Sequence, residues 1–232
     1  MHFKSLARLA IFLGRSLTYA QSAPCPISVE VSMRVPQDAP GANSTSWQVP
    51  PPGWVLGNWK VVKSSHPLYQ DLQNMEVDLS PIFPQSEESI RQTNDLTSYQ
   101  LAGNNELHLA YGHDTWGPQN DAVYVFDSPS GGLSYQLEIL AWGYDTAGNG
   151  HKVTYENEAP AINAPRALTI ESRVVSGPTG ETVNDIYKKI DELGYELLVD
   201  LAGEMRDLVH DGRREGIPVV CDAIPDLVTR PM

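Results

Sequence analysis

Between Gly57 and Arg173 apolar and polar residues alternate in short runs broken by Gly, Asn, Asp, Ser and Pro, the period and punctuation of β-strands. Eight runs stand out, at 57–64, 72–79, 90–100, 105–112, 122–127, 133–144, 151–157 and 166–173. No long helical pattern lies between them. The expectation is a mainly β domain: an up-and-down antiparallel barrel, whose closure leaves no bare edge, or a sandwich of similar strands.

The period then changes. Val183, Ile186, Tyr187, Ile190 and Leu193 recur at spacings of three and four, which predicts a helix over 181–193. Thr179 or Thr182 can cap its start and Gly194 can stop it. A second amphipathic stretch places Leu198, Leu201, Met205 and Leu208 on one face, with His210, Arg213 and Arg214 near its end and Gly216 and Pro218 as terminators.

The N-terminus adds a compartment. His2, Lys4 and Arg8 precede the apolar run Leu9-Ala10-Ile11-Phe12-Leu13, and small residues follow at Thr18 and Ala20, as in a secretory signal. The expected division is a leader over 1–20, a Pro-rich arm over 21–56, the barrel with its outer helix over 57–195, and a second helix and tail over 196–232. No other apolar run reaches the ~18 residues that cross a bilayer as a helix, so no membrane span is expected. In an oxidising compartment Cys25 and Cys221 read as one disulfide tying the two ends together, and Asn43-Ser44-Thr45 as a glycosylation site. The formal charge of −13 disfavours nucleic acid as a partner.

Two end motifs carry a family resemblance. The first strand opens Gly57-Asn58-Trp59-Lys60-Val61-Val62, and the last reads Ala167-Leu168-Thr169-Ile170-Glu171-Ser172-Arg173 and leads through a turn into the predicted helix. This resembles lipocalins, within the wider calycin group, and the resemblance covers about 57–195. It implies an eight-stranded up-and-down antiparallel barrel with C-terminal helices, in which Arg173 lies over Trp59. No good match to the family's middle motif is present; Phe126-Asp127 is a loose echo.

The implied function is a secreted protein binding a small hydrophobic molecule in the barrel. Tyr111, Tyr124, Tyr135 and Trp142 are candidate walls. Similarity to lipocalin-like barrels of fungal specialised metabolism implies an alternative, a cyclase or isomerase acting in the same cavity, with His108 and Glu138 as candidate acid and base. A docking protein using the acidic surface or last helix is a third reading. There is no metal-ligand spacing, phosphate-cradling glycine loop or nucleophile elbow, so no metal or nucleotide cofactor is expected.

Alternation leaves one question open. In 133–144, Leu133, Tyr135, Leu137, Ile139 and Ala141 oppose Ser134, Gln136, Glu138, Leu140, Trp142 and Tyr144. An outer helix also needs an apolar bed, so either face can point inward.

Overall fold

A computed structural model of the chain describes residues 30–42, 47–51, 53–82, 91–117 and 122–215. The leader, Cys25, Asn43, Cys221, and the terminators Gly216 and Pro218 lie outside the described residues.

Eight strands follow in sequence order: β1 (Gly57–Ser64), β2 (Leu72–Pro81), β3 (Gln92–Leu101), β4 (His108–Trp116), β5 (Val123–Asp127), β6 (Ser134–Tyr144), β7 (Gly150–Glu156) and β8 (Ala167–Ser172). Each pairs antiparallel with the next, and β1 pairs with both β2 and β8, so the sheet closes into an up-and-down barrel. The fourth strand runs later than its sequence pattern suggests, because 102–107 form the β3–β4 connection.

Helix α1 (Gly180–Leu193) follows β8. Thr179 caps it, its side chain accepting from the Thr182 amide, and Gly194 ends it at φ 63°. Its fully buried Ile186 and Ile190 pack in one cluster with Val153, Tyr155, Leu168 and Ile170. The apolar faces of β7 and β8 therefore point outward, toward the helix. Val31, Met33 and Val35 of the N-terminal arm join this cluster, and the arm pairs with β6 through Met33 and Ala141.

The second helix is shorter than its pattern predicts. α2 spans Glu196–Glu204, and the chain then turns extended as β9 (Arg206–Asp207). The seam of the barrel explains the change. β1 pairs with β2 only through Gly57–Lys60. Past that point Lys63 and Ser64 pair instead with Asp207 and Arg206, the Leu208 amide donates to the Val62 carbonyl, and Val209 bridges to Gln73. The segment fills the gap where β1 and β2 splay, satisfying backbone groups that continued helix would leave bare. Leu208 is buried there against Val61 and Met75 rather than on a helix face.

Candidate ligand-binding site in the barrel interior

Residues paired across antiparallel strands share a face. With Leu168 and Ile170 facing the helix, Thr169 and Glu171 face inward on β8, and Lys152, Thr154 and Glu156 face inward on β7. The pairings continue the same side through Ile139, Leu137 and Tyr135 on β6, Tyr124 and Phe126 on β5, and Trp116 and Asp114 on β4. On β3 it runs through Thr93, Asp95, Thr97 and Tyr99.

A β-bulge resolves the two faces of β6. The register shifts between Ile139 and Ala141. Leu140 and Ala141 join the outer cluster, and Trp142, which pairs with Lys152, returns to the inner side with Tyr144.

One end of the barrel is closed. The Arg173 guanidinium stands 3.5 Å from the Trp59 ring centre and donates to the carbonyls of Asn58, Trp54 and Leu56. Trp54 packs against Trp59 and Trp142 at 5.0 and 4.9 Å. Trp142 is anchored through Nε1 to the Gln48 carbonyl at 2.7 Å, so it belongs to this floor.

Above the floor the wall divides in two. β4–β6 contribute rings, with Trp116 stacked on Tyr124 at 4.4 Å and Phe126 tilted on Tyr135 at 5.2 Å, beside Leu137 and Ile139. β3, β4, β7 and β8 contribute four carboxyls, Asp95, Asp114, Glu156 and Glu171, and one ammonium, Lys152, all buried.

Lys152 Nζ lies 2.9 Å from Glu171 Oε1, and Thr154 donates to the same oxygen at 2.8 Å. Glu171 Oε2 has no partner among the described residues. Asp114 Oδ2 accepts from Thr93 at 3.1 Å, while its Oδ1 is likewise buried and unpartnered. Asp95 accepts from Thr97. Higher up, Glu156 accepts from Thr169 and from the Tyr69 hydroxyl, and Tyr69 comes from the single turn Tyr69–Asp71 in the β1–β2 connection.

Burial disfavours the charged form of these acids. It raises Asp95 and Glu156 to about 7 each, against partial compensation from hydroxyl donors and Lys152. Asp114 is raised well above the usual carboxylate range, first by burial and then by Asp95. The phenols of Tyr124 and Tyr135 are also held up by burial and by the carboxylates, and stay neutral.

The residues singled out from sequence separate. Tyr124 and Tyr135 line the interior. His108 shares a face with Tyr99, stacked at 5.4 Å, and its Nε2 is buried without a partner among the described residues. Tyr111 is on the outer face, bonded to Asn94 and His113. Glu138 also faces outward: the Arg34 guanidinium at 3.0 Å, the Gln37 amide and Gln136 hold it under the N-terminal arm. The structure thus does not bring His108 and Glu138 together. The polar interior of β3, β4, β7 and β8 escaped sequence reasoning. The signal that finds it is the requirement of α1 for an apolar bed, which turns Glu171 and Lys152 inward.

Among the described residues no group of three or more His, Cys, Asp and Glu is placed to hold a metal ion, and no helix is long and apolar enough to cross a membrane. No family model and no curated protein matches the chain. Among solved structures it is similar to apocrustacyanin C1, at 14% identity and TM-score 0.46 over 67% of this chain and 77% of that one. It is also similar to the siderocalin Ex-FABP, at 11% identity and TM-score 0.41 over 67% of this chain and 93% of that one. In its strand order, its closure and its helix against the outer wall, the chain has the lipocalin-like fold.

Proposed function

We propose that this is a secreted binding protein that holds a small molecule with a hydrophobic body inside the barrel. The observation that carries the reading is the aromatic half of the interior wall, Trp116, Tyr124, Phe126 and Tyr135, facing buried carboxylate oxygens that have no partner among the described residues. Apolar walls with a few converging polar groups are the usual chemistry of a small-ligand site. The leader-like N-terminus supports secretion, and a Cys25–Cys221 disulfide and a glycan on Asn43 belong to the same reading.

The test is titration of the purified protein with the neutral fluorophore N-phenyl-1-naphthylamine, with solvent extraction and mass spectrometry of protein taken from its secreting host. Saturable fluorescence enhancement that is lost in Tyr124→Ala with the fold intact is expected. No enhancement in the wild type, and no co-purifying compound, overturns the proposal.

One observation favours a second reading, catalysis of a cyclisation or isomerisation in the same interior. Asp95 and Glu156 titrate at about 7, where a carboxyl can give or take a proton under neutral conditions. Conversion of an extracted compound to an isomer, abolished in Asp95→Asn or Glu156→Gln, marks the enzyme; a compound recovered unchanged marks the carrier.

A further inference from the structure

The ionic composition of the interior is unbalanced. Four carboxyls share it with one ammonium, and that ammonium is already engaged by Glu171. A wall built only to receive a hydrophobic molecule has no use for this excess, since each buried acid costs desolvation. The unpartnered oxygens are not at the rim. Asp114 is 0% exposed and Glu171 is 4% exposed. Asp114 lies next to the ring pair, Trp116 being two residues along β4 and stacked on Tyr124.

We infer that the barrel selects a hydrophobic organic cation, a primary or secondary ammonium on an aromatic or aliphatic body, whose N–H groups are received by the free oxygens of Asp114 and Glu171. The inference rests on the reading of the interior as a small-molecule site and names the class of molecule it takes. The rings would carry the body, by area burial and by cation–π attraction near the charged end. The carboxyl oxygens would take the head as charge-assisted acceptors.

Several titrating groups face this position. β3 brings Asp95, β4 Asp114 and His108, β7 Lys152 and Glu156, and β8 Glu171. The phenols of Tyr124 and Tyr135 come from β5 and β6, and Tyr69 comes from the β1–β2 connection. Lys152 is the one lysine or arginine among the described residues of β3, β4, β7 and β8. Glu171 Oε1 lies 2.9 Å from its ammonium and offsets its repulsion of a second cation. Burial, and then Asp95, favour the protonated form of the Asp114 carboxyl. Arrival of the ammonium makes the carboxylate the better form, and the carboxyl proton passes to solvent.

The experiment compares two probes with one body, 1-naphthylmethylammonium and 1-naphthylmethanol, by isothermal titration calorimetry on the full chain at pH 7. Buffers of different ionisation enthalpy report proton release. The expected result is ammonium binding at least tenfold tighter than the alcohol, with protons released, and a preference that collapses in Asp114→Asn. The wild-type ratio stands even where that variant fails to fold, and Asp95→Asn is the second variant. Equal affinity for the two probes, or tighter binding of the alcohol, overturns the inference while N-phenyl-1-naphthylamine binding leaves the small-molecule reading intact. Failure of all three probes overturns both.

Discussion

The buried Lys152–Glu171 pair offers the sharpest test of the interior, through Lys152→Met. The two side chains are 1% and 6% exposed and 2.9 Å apart, and the ammonium also lies 5.1 Å from the Trp59 ring centre. At an effective dielectric of about 20, two unit charges at that separation attract by roughly 6 kcal/mol, much of it offset by desolvation. Removing one partner leaves the other charge buried. The expected loss is about 3–5 kcal/mol at pH 8, read from guanidinium denaturation. Methionine keeps most of the lysine's volume, so little of that loss comes from a cavity. The double variant Lys152→Met/Glu171→Leu removes both charges and should recover most of the loss. A single variant losing less than about 1 kcal/mol, or a double variant no better than the single, refutes the idea that the pair faces a dry interior.

The pH profile follows from the raised acids. Asp95 and Glu156 move from 3.8 and 4.5 to about 7, so the folded chain holds these protons more tightly than the unfolded one. Their contribution is full below the ordinary carboxylate range and is lost as the pH rises through about 7; the unfolding free energy from denaturant titrations should climb by a few kcal/mol from pH 8 to pH 5. A flat or falling profile over that interval contradicts the burial argument. Gly112→Ala should cost about 1–3 kcal/mol by urea denaturation. A Cβ there would sit 2.2 Å from Phe126 Cε2 and 2.8 Å from the Asp127 carbonyl oxygen, and wild-type stability would show that β4 and β5 are not this close. Asp114→Asn should leave stability at pH 8 equal or higher, because it removes an acid whose charged form burial and Asp95 disfavour and still offers Thr93 an acceptor. A loss above about 2 kcal/mol would make Asp114 a structural residue.

The eight strands and α1 were legible because each is written in one local period. Strand β1 and the end of α1 fall where alternation and Gly194 place them. The site was harder to read, since alternation separates two faces and does not say which is inside. In β6 even the separation fails: one extra residue at Leu140 moves Trp142 to the side of Ile139, and nothing in that run signals the bulge. Helix α2 shows the same limit from another direction. Leu208 keeps helical spacing with Leu201 and Met205, but the open seam between β1 and β2 takes the backbone as strand. Glu138 resembled a catalytic acid because sequence cannot show Arg34 and Gln37, a hundred residues away, folded over it.

The arrangement of apolar residues gives the interior its freedom. The larger cluster lies outside the barrel, where α1, α2 and the N-terminal arm cover Val153, Tyr155, Leu168 and Ile170. A second cluster fills the floor around Trp59 and runs up the β5–β6 wall. With stabilising burial placed there, the inner faces of β3, β7 and β8 are released from forming a core and can carry Asp95, Glu156 and Glu171. Asp95 and Glu156 oppose folding in their charged form, which is why their effect on stability and their use in binding should move in opposite directions. A barrel whose purpose was only to fold would have placed leucine at these positions.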